Sequence, residues 1–323
     1  MVLSSNVARV EYDSAGTLGL LVELGQTNVN LQSANLAAAV YANVGAPTVT
    51  ANTTVSPDGT TTMATIQDNS AAALEGRSQT VTVTSGQPYT LSVFVKAGTL
   101  SGVTVSLDGT TATCTSLSAT TSTRCIVTDA AASGVAIVAS VTGGTVVGDT
   151  GTFIAWGQQV ELGSFASSYI PTAAGTVTRV ADDATMAVTS TLFASGSIAA
   201  TTWSVAGGLP SNAGWFTAAG PLRTNFRDGF IGFANSSAGS FYSNATQGFA
   251  NAVVVTAGTN RMAGYWGAAG TGWLVNGSGA TGAGVTDTVA VSWFNLMNYN
   301  GSGTNIHGII SRVCLDPSPA RCR

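Results

Sequence analysis

Residues 156–183 read WGQQVELGSFASSYIPTAAGTVTRVADD, and this stretch separates two parts of the chain. It begins inside an alternating run whose apolar members are predicted to share one face of a strand: Ile154, Trp156, Val160 and Leu162. The residue before Pro171 is biased towards extended backbone. Residues 173–176 (AAGT) then supply the small and polar side chains that are typical of a domain boundary. The stretch therefore predicts that one domain ends here and that another begins.

The composition favours an all-β protein. Charged residues make up only 8% of the 323 residues, and Gly, Ala, Ser, Thr and Val dominate, as in chains of short strands joined by tight turns. Alternation predicts several strands with these inward residues: Val81, Val83, Leu91, Val93, Val95, Val103, Val105, Leu107, Val135, Ile137, Ala139 and Val141. Ala136 and Val138 are apolar too, so that strand is predicted to be buried on both faces. Only residues 30–43 predict a helical turn or two. The strand spacing, with turns such as Asp108-Gly109, predicts antiparallel β-sandwiches.

Several segments resemble surface proteins of bacteriophages and prophages. Residues 8–13 (ARVEYD), 18–23 (LGLLVE) and 26–28 (QTN) resemble the lead-in of these proteins, and residues 31–36 continue it. Residues 156–183 resemble the seam between a carbohydrate-binding-module-like jelly roll and a laminin-G/concanavalin A-like sandwich. The segments WLVNG (273–277) and HGIISRV (307–313) resemble a strand ending in Asn-Gly and the closing strand of the second type of domain.

The resemblance implies two antiparallel β-sandwich (jelly-roll) domains in tandem. Residues 1–168 would form the carbohydrate-binding-module-like jelly roll, residues 169–185 an ordered elbow, and residues 186–323 the laminin-G/concanavalin A-like sandwich.

The charge balance excludes some partners and favours others. One lysine, Lys96, and ten arginines stand against fifteen acidic residues, with no basic run, so no nucleic-acid partner is expected. No window of about 18 apolar residues predicts a membrane span. A surface with so little charge is better tolerated when it is buried, so we expect this protein to be part of an assembly. The expected partners are other copies of the chain and other virion proteins. The resemblance to phage fibres implies a trimer.

Few side chains are suited to catalysis. The single histidine, His307, has no acidic neighbour in sequence, so a Ser-His-Asp site is not expected. The four glutamates all precede residue 168, and a glycosidase needs two carboxylates about the scissile bond. We therefore predict no catalytic residue and no enzymatic activity.

Binding of sugars is the chemistry that the aromatic residues favour. An aromatic ring can cover the apolar face of a sugar while neighbouring amides satisfy its hydroxyls. The candidates stand near Asn- and Gly-rich loops in the second domain: Trp215, Phe216, Tyr242, Tyr265 and Trp266. Trp156 and Trp293, inside alternating runs, are assigned to the core, and for every candidate a core position is the competing interpretation.

The cysteines fall in two local pairs, Cys114 with Cys125 and Cys314 with Cys322. Each pair is suited to a disulfide, which would contribute about 2 to 3 kcal/mol. Alternatively, all four thiols stay reduced, as in a protein that folds in a reducing cytosol. No cofactor and no metal site is predicted. A structural calcium ion is the less favoured alternative, with these single ligands: Asp58, Asp68, Asp228 and Asp287.

Together these features predict a non-enzymatic protein of the bacteriophage virion surface, a capsid or tail decoration or fibre protein that binds host surface polysaccharide weakly. The start of the chain lacks the pattern of a secretory signal, so we expect release by lysis from the host cytoplasm. The alternatives are a bacterial surface adhesin or self-assembling matrix protein and, less favoured, a polysaccharide depolymerase.

Overall fold

A computed structural model describes the backbone of residues 9–12, 18–23, 25–182 and the strands that follow, and the side chains of Leu21, Glu23 and residues 25–182. Every regular element in these ranges is a β-strand. The predicted all-β class is therefore confirmed. No helix in the described ranges is long and apolar enough to cross a membrane.

The strands are, in chain order, β1 (Arg9–Tyr12), β2 (Leu18–Val22), β3 (Gln26–Asn28), β4 (Ala42–Val44), β5 (Thr48–Thr54), β6 (Met63–Asp68), β7 (Gly76–Thr82), β8 (Tyr89–Ala97), β9 (Val103–Leu107), β10 (Thr110–Cys114), β11 (Thr123–Asp129), β12 (Ala136–Gly143), β13 (Gly151–Leu162), β14 (Val177–Arg179), β15 (Ala184–Ala187), β16 (Gly196–Ser204), β17 (Gly214–Ala219), β18 (Phe230–Asn235), β19 (Ala238–Ser243), β20 (Thr246–Asn251), β21 (Gly258–Trp266), β22 (Thr271–Val275), β23 (Ser278–Gly282), β24 (Trp293–Leu296) and β25 (Gly308–Asp316).

The chain forms two compact units. Unit 1 comprises residues 1–5 and 26–179, and unit 2 comprises residues 6–25 and 180–323. This division differs from the predicted one at both boundaries. Residues 6–25, predicted in the first domain, group with unit 2 because β2 pairs with β25. Residues 169–179, predicted as part of an elbow, belong to unit 1, whose last strand β14 pairs with its first strand β3.

Unit 1 contains two five-stranded antiparallel sheets. Sheet I has the order β10-β9-β12-β7-β4, and sheet II has the order β11-β8-β13-β6-β5. The strands pair as a long hairpin that is rolled up: β9 with β10, β8 with β11, β7 with β12 and β6 with β13. Successive pairs of this hairpin alternate between the sheets, which is the topology of a jelly roll. At its tip, Asp108 (φ 50°) and Gly109 (φ 88°) form the turn with two positive φ angles that a two-residue hairpin favours.

The core between the sheets follows the predicted alternation except at Val135, which alternation predicts to face inward but which is 66% exposed just before β12 begins. The buried side chains include Val81, Leu91, Val93, Val95, Val103, Val105, Leu107, Ile137, Ala139 and Val141. Burial of each such valine or leucine contributes roughly 1.5 to 3 kcal/mol. The expectation that β12 is buried on both faces is wrong, because Ala136 is exposed and Val138 keeps 48% exposure on the outer face of sheet I.

The predicted face of β13 is also wrong. The register of β13 against β8 shifts between Trp156 and Gln159, so one extra residue interrupts the alternation. Val160 therefore lies in the core, whereas Trp156 lies outside the core cluster and Leu162 is exposed. Trp156 is buried as predicted, at 1% exposure, but against other partners.

In the segment of residues 30–43, residues 30–41 form turns and no helix, and residues 42–43 begin β4. Three successive turns close by hydrogen bonds from Asn35 N to Gln32 O (2.9 Å), Ala38 N to Asn35 O (3.0 Å) and Tyr41 N to Ala38 O (3.1 Å). In a helix the backbone carbonyls of Leu36 and Ala38 would accept hydrogen bonds from backbone N–H groups. Here they accept from the Arg77 side chain, whose Nε donates to Leu36 O and whose Nη2 donates to Ala38 O. The expected helical turns are thus replaced by contacts with β7.

A disulfide joins Cys114 of β10 to Cys125 of β11. These strands are the outer members of sheet I and sheet II, so the bond ties one pair of sheet edges together. Cys314 lies in β25, and its predicted pairing with Cys322 falls outside the described residues.

Unit 2 contains two antiparallel sheets, a seven-stranded one with the order β1-β2-β25-β16-β21-β22-β23 and a six-stranded one with the order β15-β24-β17-β18-β19-β20. β22 and β23 pair with Val275 opposite Ser278, on either side of Asn276-Gly277. The predicted hairpin at this point is therefore confirmed, although the two turn residues lie outside the described part.

We expect residues 26–179 to fold when expressed without the rest of the chain. The β3–β14 pair, with Gln26 opposite Arg179, brings both ends of this fragment together. A fragment of residues 26–168 lacks β14 and the buried Ile170, so its thermal unfolding should begin at a lower temperature. Circular dichroism melting of the two fragments is the measurement, and equal melting temperatures would contradict the observed boundary.

Candidate functional site

The outer face of sheet II carries the candidate site. Because Leu91, Val93 and Val95 of β8 face the core, the alternate residues Ser92, Phe94 and Lys96 point the other way. Residues opposite Ser92 and Phe94 in the ladders share this face, namely Arg124 of β11 and Trp156 and Gln159 of β13, and so does Glu161 of β13, opposite Thr90.

Three aromatic rings form a cluster on this face, which we call the aromatic cluster (Phe94, Trp156 and Tyr169). The ring centroids lie 4.5 Å apart for Trp156 and Tyr169, 5.7 Å for Phe94 and Trp156, and 6.3 Å for Phe94 and Tyr169. Trp156 is buried, whereas the rings of Phe94 and Tyr169 are half-buried. The indole Nε1 of Trp156 donates to Thr62 Oγ1 (2.9 Å). Each such ring pair contributes about 0.5 to 1.5 kcal/mol beyond its buried area.

The bulge in β13 allows the rings to meet. Gly157 has φ +68°, and a Cβ atom there would lie 3.1 Å from Phe94 Cδ2 and 3.3 Å from Tyr169 Cε2. A side chain at this position would crowd both rings and would have to adopt a strained backbone conformation. Glycine is therefore required both by the bulge and by the packing of the cluster.

A segment that we call the strap, residues 163–172, crosses the outer face and carries Tyr169. It is fastened mainly by polar contacts: Ile170 N donates to Gln159 Oε1 (2.7 Å) and Asn28 Nδ2 donates to Ile170 O (2.8 Å). The hydroxyls of Tyr169 and Ser33 share a hydrogen bond of 2.7 Å. The first part of the predicted elbow is thus ordered and packed within unit 1.

Glu161 holds the middle of the strap. Its side chain is completely buried and accepts hydrogen bonds from Ser167 N (2.6 Å), Ser167 Oγ (2.5 Å) and Gln159 Nε2 (3.0 Å). Burial raises the pKa of Glu161 above its ordinary value, and it outweighs the lowering effect of these bonds and of the Arg124 charge.

The two cations of this face are both engaged. The guanidinium of Arg124 lies 5.3 Å from the centre of the Phe94 ring, and its Nη2 donates to Ser92 Oγ (2.8 Å). Stacking and hydrogen bonding fix the plane of the guanidinium, which is half-buried. Lys96 is buried and its Nζ donates to Val55 O (2.8 Å).

A loop rich in hydroxyls borders the face. Asp58 Oδ1 accepts from Ser56 Oγ (2.6 Å) and Thr60 Oγ1 (2.7 Å), and Thr60 Oγ1 and Thr62 Oγ1 share a further hydrogen bond. Burial raises the pKa of Asp58, but the hydrogen bonds from Ser56 and Thr60 more than offset it and hold the pKa below its usual value. The face thus combines aromatic rings, one planar cation and a hydroxyl-rich border.

The described residues show no arrangement suited to a metal ion. No group of three or more His, Cys, Asp or Glu side chains is close enough to hold one within this part of the chain. Asp68, a proposed calcium ligand, accepts from the backbone N–H groups of Ser70 and Glu75 instead. Asp228 and Asp287 lie outside the described residues.

The predicted sugar-binding residues belong to unit 2 and to both of its sheets. Trp215 and Phe216 lie in β17 and Tyr242 in β19, both in the six-stranded sheet, whereas Tyr265 and Trp266 end β21 in the seven-stranded sheet. Their side chains, those of Trp293 and Cys314, and the whole of His307 fall outside the described part.

The sequence interpretation missed Phe94, Arg124 and Tyr169. One signal was present, because Phe94 occupies an outward position of β8 between Ser92 and Lys96, where alternation predicts a polar residue. Arg124 and Tyr169 carried no such signal, since their contacts join segments far apart in sequence.

Comparisons with known proteins found no matching family model and no matching curated protein. Among solved structures, the chain is similar to the CBM22-1 xylan-binding domain of Paenibacillus barcinonensis Xyn10C, with 10% identity, 45% of this chain and 98% of that domain covered, and a TM-score of 0.31. The tandem CBM22-1–CBM22-2 domain of the same protein matches with 8% identity, 98% and 100% coverage, and a TM-score of 0.30. At TM-scores of this size neither likeness assigns a fold or a ligand to this chain.

We expect the stability of unit 1 to fall as the pH rises through the raised pKa of Glu161. The folded protein holds this proton more tightly than the unfolded chain, whose pKa is near 4.5, so the contribution is fully present below that pH. Glu161→Gln should remove this part of the pH dependence, which thermal unfolding between pH 4 and pH 8 measures.

Ser167→Ala serves as the matched variant. Loss of its hydroxyl, one of the groups that lower the pKa of Glu161, should move the fall in stability to higher pH. Superimposable pH profiles for the wild type and Glu161→Gln would contradict the assignment.

Proposed function

We propose that this protein is a non-catalytic glycan-binding protein of a bacteriophage particle surface, and that Phe94, Tyr169 and Arg124 contact the sugar. The observation that carries the proposal is the pair of half-buried rings, Phe94 and Tyr169, on the outward face of a sheet with a guanidinium stacked on Phe94. Soluble proteins usually place large aromatic side chains in the core. Within residues 26–179 the other aromatic side chains, apart from the half-buried Phe165, are at least 95% buried.

The chemistry of the face suits a sugar. The face of an aromatic ring covers the apolar C–H groups of a pyranose, while a small number of fixed polar groups select its hydroxyls. Arg124 provides planar donors whose orientation is fixed before binding, which lowers the entropic cost of a hydrogen bond. The hydroxyls of Ser56, Thr60 and Thr62 border the same face and supply further polar groups.

Binding without cleavage is supported by the placement of Glu161 on this face. Hydrolysis of a glycosidic bond requires two carboxyl groups that both reach the substrate. Glu161 is fully buried, and the strap covers it through Ser167. A depolymerase acting at this face would have to displace the strap, so we propose adhesion instead.

We expect Phe94→Ala to weaken binding to a host surface polysaccharide at least about fivefold, because a desolvated aromatic contact is worth more than about 1 kcal/mol. Arg124→Ala should weaken it to a similar extent. The probes are purified capsular polysaccharide and lipopolysaccharide of candidate hosts, and titration calorimetry gives the affinity.

Val146→Ala is the control, since Val146 is an exposed apolar residue, 62% exposed, outside the strands of both sheets of unit 1. Affinity weaker than millimolar for all probes would remove the glycan-binding role. Release of reducing ends by the wild type would replace the proposal with a depolymerase.

The proposed place of action, the particle surface, is supported by the resemblance of residues 8–36 and 156–183 to phage surface proteins and by an uncharged face of unit 1. The outward residues of sheet I align across the strands in one row formed by Thr111, Ser106, Ser140, Ser78 and Ala42. A second row runs through Thr113, Thr104 and Thr142. Among the described strands of sheet I, no outward position holds a charged residue.

We propose that this face packs against another copy of the chain. In a closed ring of three copies this face would meet a different surface of the next copy. A charge buried there without a partner would be costly, and a face without charge avoids this cost. Five strands spaced about 4.8 Å apart span roughly 24 Å, enough for a contact of modest area.

We expect the double variant Thr80→Lys/Thr111→Lys to dissociate the assembly, because both positions are exposed on this face. Native mass spectrometry of the full chain measures the oligomeric state, with a trimer expected for the wild type. Thr50→Lys, at an exposed position of the edge strand β5, is the control and should leave the assembly intact.

A monomeric wild type at all concentrations would contradict self-association. The virion role has its own test, since immunogold electron microscopy with antibodies to the chain should label purified particles. Particles without label would contradict it.

A further inference from the structure

The outward side chains of β11 extend the surface of the aromatic cluster along one edge of sheet II. Cys125 and Val127 of this strand lie in the core, so the alternate residues Arg124, Ile126 and Thr128 point outward. A strand rises about 3.3 Å per residue, so the line from Arg124 to Thr128 is about 13 Å long.

The register of β11 with β8 joins these residues to outward residues of the next strand. The pairs form three successive rows, Arg124 with Phe94, Ile126 with Ser92, and Thr128 with Thr90. Arg124 Nη2 donates to Ser92 Oγ (2.8 Å), and the hydroxyls of Thr128 and Thr90 share a hydrogen bond of 2.9 Å. The rows therefore form a continuous floor that is two strands wide.

The strap forms a wall along the β13 side of this floor. Near its beginning, Gly163 O accepts from Thr90 Oγ1 (2.8 Å). Further along, the Tyr169 ring meets the Phe94 ring with 6.3 Å between the centroids. The strap thus follows the floor from the row of Thr90 to the row of Phe94.

The opposite side of the floor is open. β11 is the last strand of sheet II, and no described strand pairs with its outer edge. Ile126, in the middle row, keeps 45% exposure, and Arg124 and Thr128 are half-buried, whereas Ser92 and Thr90 are buried. The accessible part of the floor is therefore a line of a planar cation, an apolar side chain and a hydroxyl.

A disulfide holds the strand that carries this line. Cys125 stands between Arg124 and Ile126 and is bonded to Cys114 of β10, in the other sheet. An edge strand has one neighbour in its sheet and opens locally more readily than an inner strand, and the covalent bond restrains such opening. The three side chains are consequently ordered before a ligand arrives, which lowers the entropic cost of binding.

We propose that the glycan site continues from the aromatic cluster along β11, so that Arg124, Ile126 and Thr128 contact successive sugar units of one chain. This inference rests on the proposed function of the face and adds the class of ligand, a linear stretch of several sugar units. A line of about 13 Å is longer than one pyranose ring. Ile126 covers apolar C–H groups in the middle of the stretch, and the polar groups on either side bind hydroxyls.

The test compares ligands of different length. The probes are fragments of the host capsular polysaccharide or lipopolysaccharide that the full chain binds, graded from a single sugar to a hexasaccharide. Titration calorimetry should show an affinity that rises at least about tenfold with length and then levels off, because each added contact buries further apolar area. Ile126→Ala should weaken binding of the hexasaccharide roughly three- to tenfold and leave that of the single sugar unchanged, whereas Phe94→Ala should weaken both.

Ile126→Thr is the second variant, because threonine keeps the β-branched side chain that suits a strand, and it should act like Ile126→Ala. Val146→Ala is the matched control and should leave the affinity for every fragment unchanged. Equal affinity for the single sugar and the hexasaccharide would overturn the extended site but leave glycan binding at the aromatic cluster. Unchanged binding of the hexasaccharide in both Ile126 variants would have the same meaning. A full chain that binds no fragment and no polysaccharide would overturn the proposed function and this inference together.

Discussion

The extra residue in β13 at Gly157 is the constraint on which unit 1 depends. Before it, Phe153 and Ala155 face the core, and after it Val160 does. A strand of uninterrupted alternation would direct Gln159 and Glu161 between the sheets, where an amide and a carboxylate are expensive to bury without partners. The bulge places both of them on the outer face, where the strap supplies hydrogen bonds.

The outer face of sheet II consequently behaves as a second, polar and aromatic layer. Several of its side chains are as deeply buried as those of the core. Hydrogen bonds hold these side chains in place, whereas apolar contacts hold the core. The fixed strap presents Tyr169 to Phe94, and the stacked Arg124 completes the surface. Pre-ordered rings and donors lose little freedom on meeting a ligand, which is the physical basis for the proposal that this face binds one.

The two ends of unit 1 meet in the β3–β14 pair, and this explains how the chain accommodates an independent unit within the sequence of another. Domains with adjacent termini can be inserted into a host sequence at little cost, because the host chain has no gap to bridge. The strands β1 and β2 precede residues 26–179 in sequence, but β2 pairs with β25 and β1 pairs with β2. Both strands therefore belong to unit 2, although unit 1 separates them in sequence from its other strands. The stretch of residues 156–183 contains both the strap and, after residue 179, the boundary between the two units.

The sequence by itself determined the all-β class, the antiparallel pairing and most of the core, because period-2 alternation and Asp-Gly or Asn-Gly turns are local signals. It also offered the Cys114–Cys125 disulfide as one of two alternatives, and the structure joins the two residues across the edges of sheet I and sheet II. Only the tertiary structure decided which face Trp156 occupies, which unit residues 6–25 join and which side chains surround Phe94. Each of these depends on partners distant in sequence, such as Ile309 opposite Leu21 or Ser33 beside Tyr169. A bulge in one strand, moreover, is selected by the neighbour it must fit, and local alternation contains no information about that neighbour.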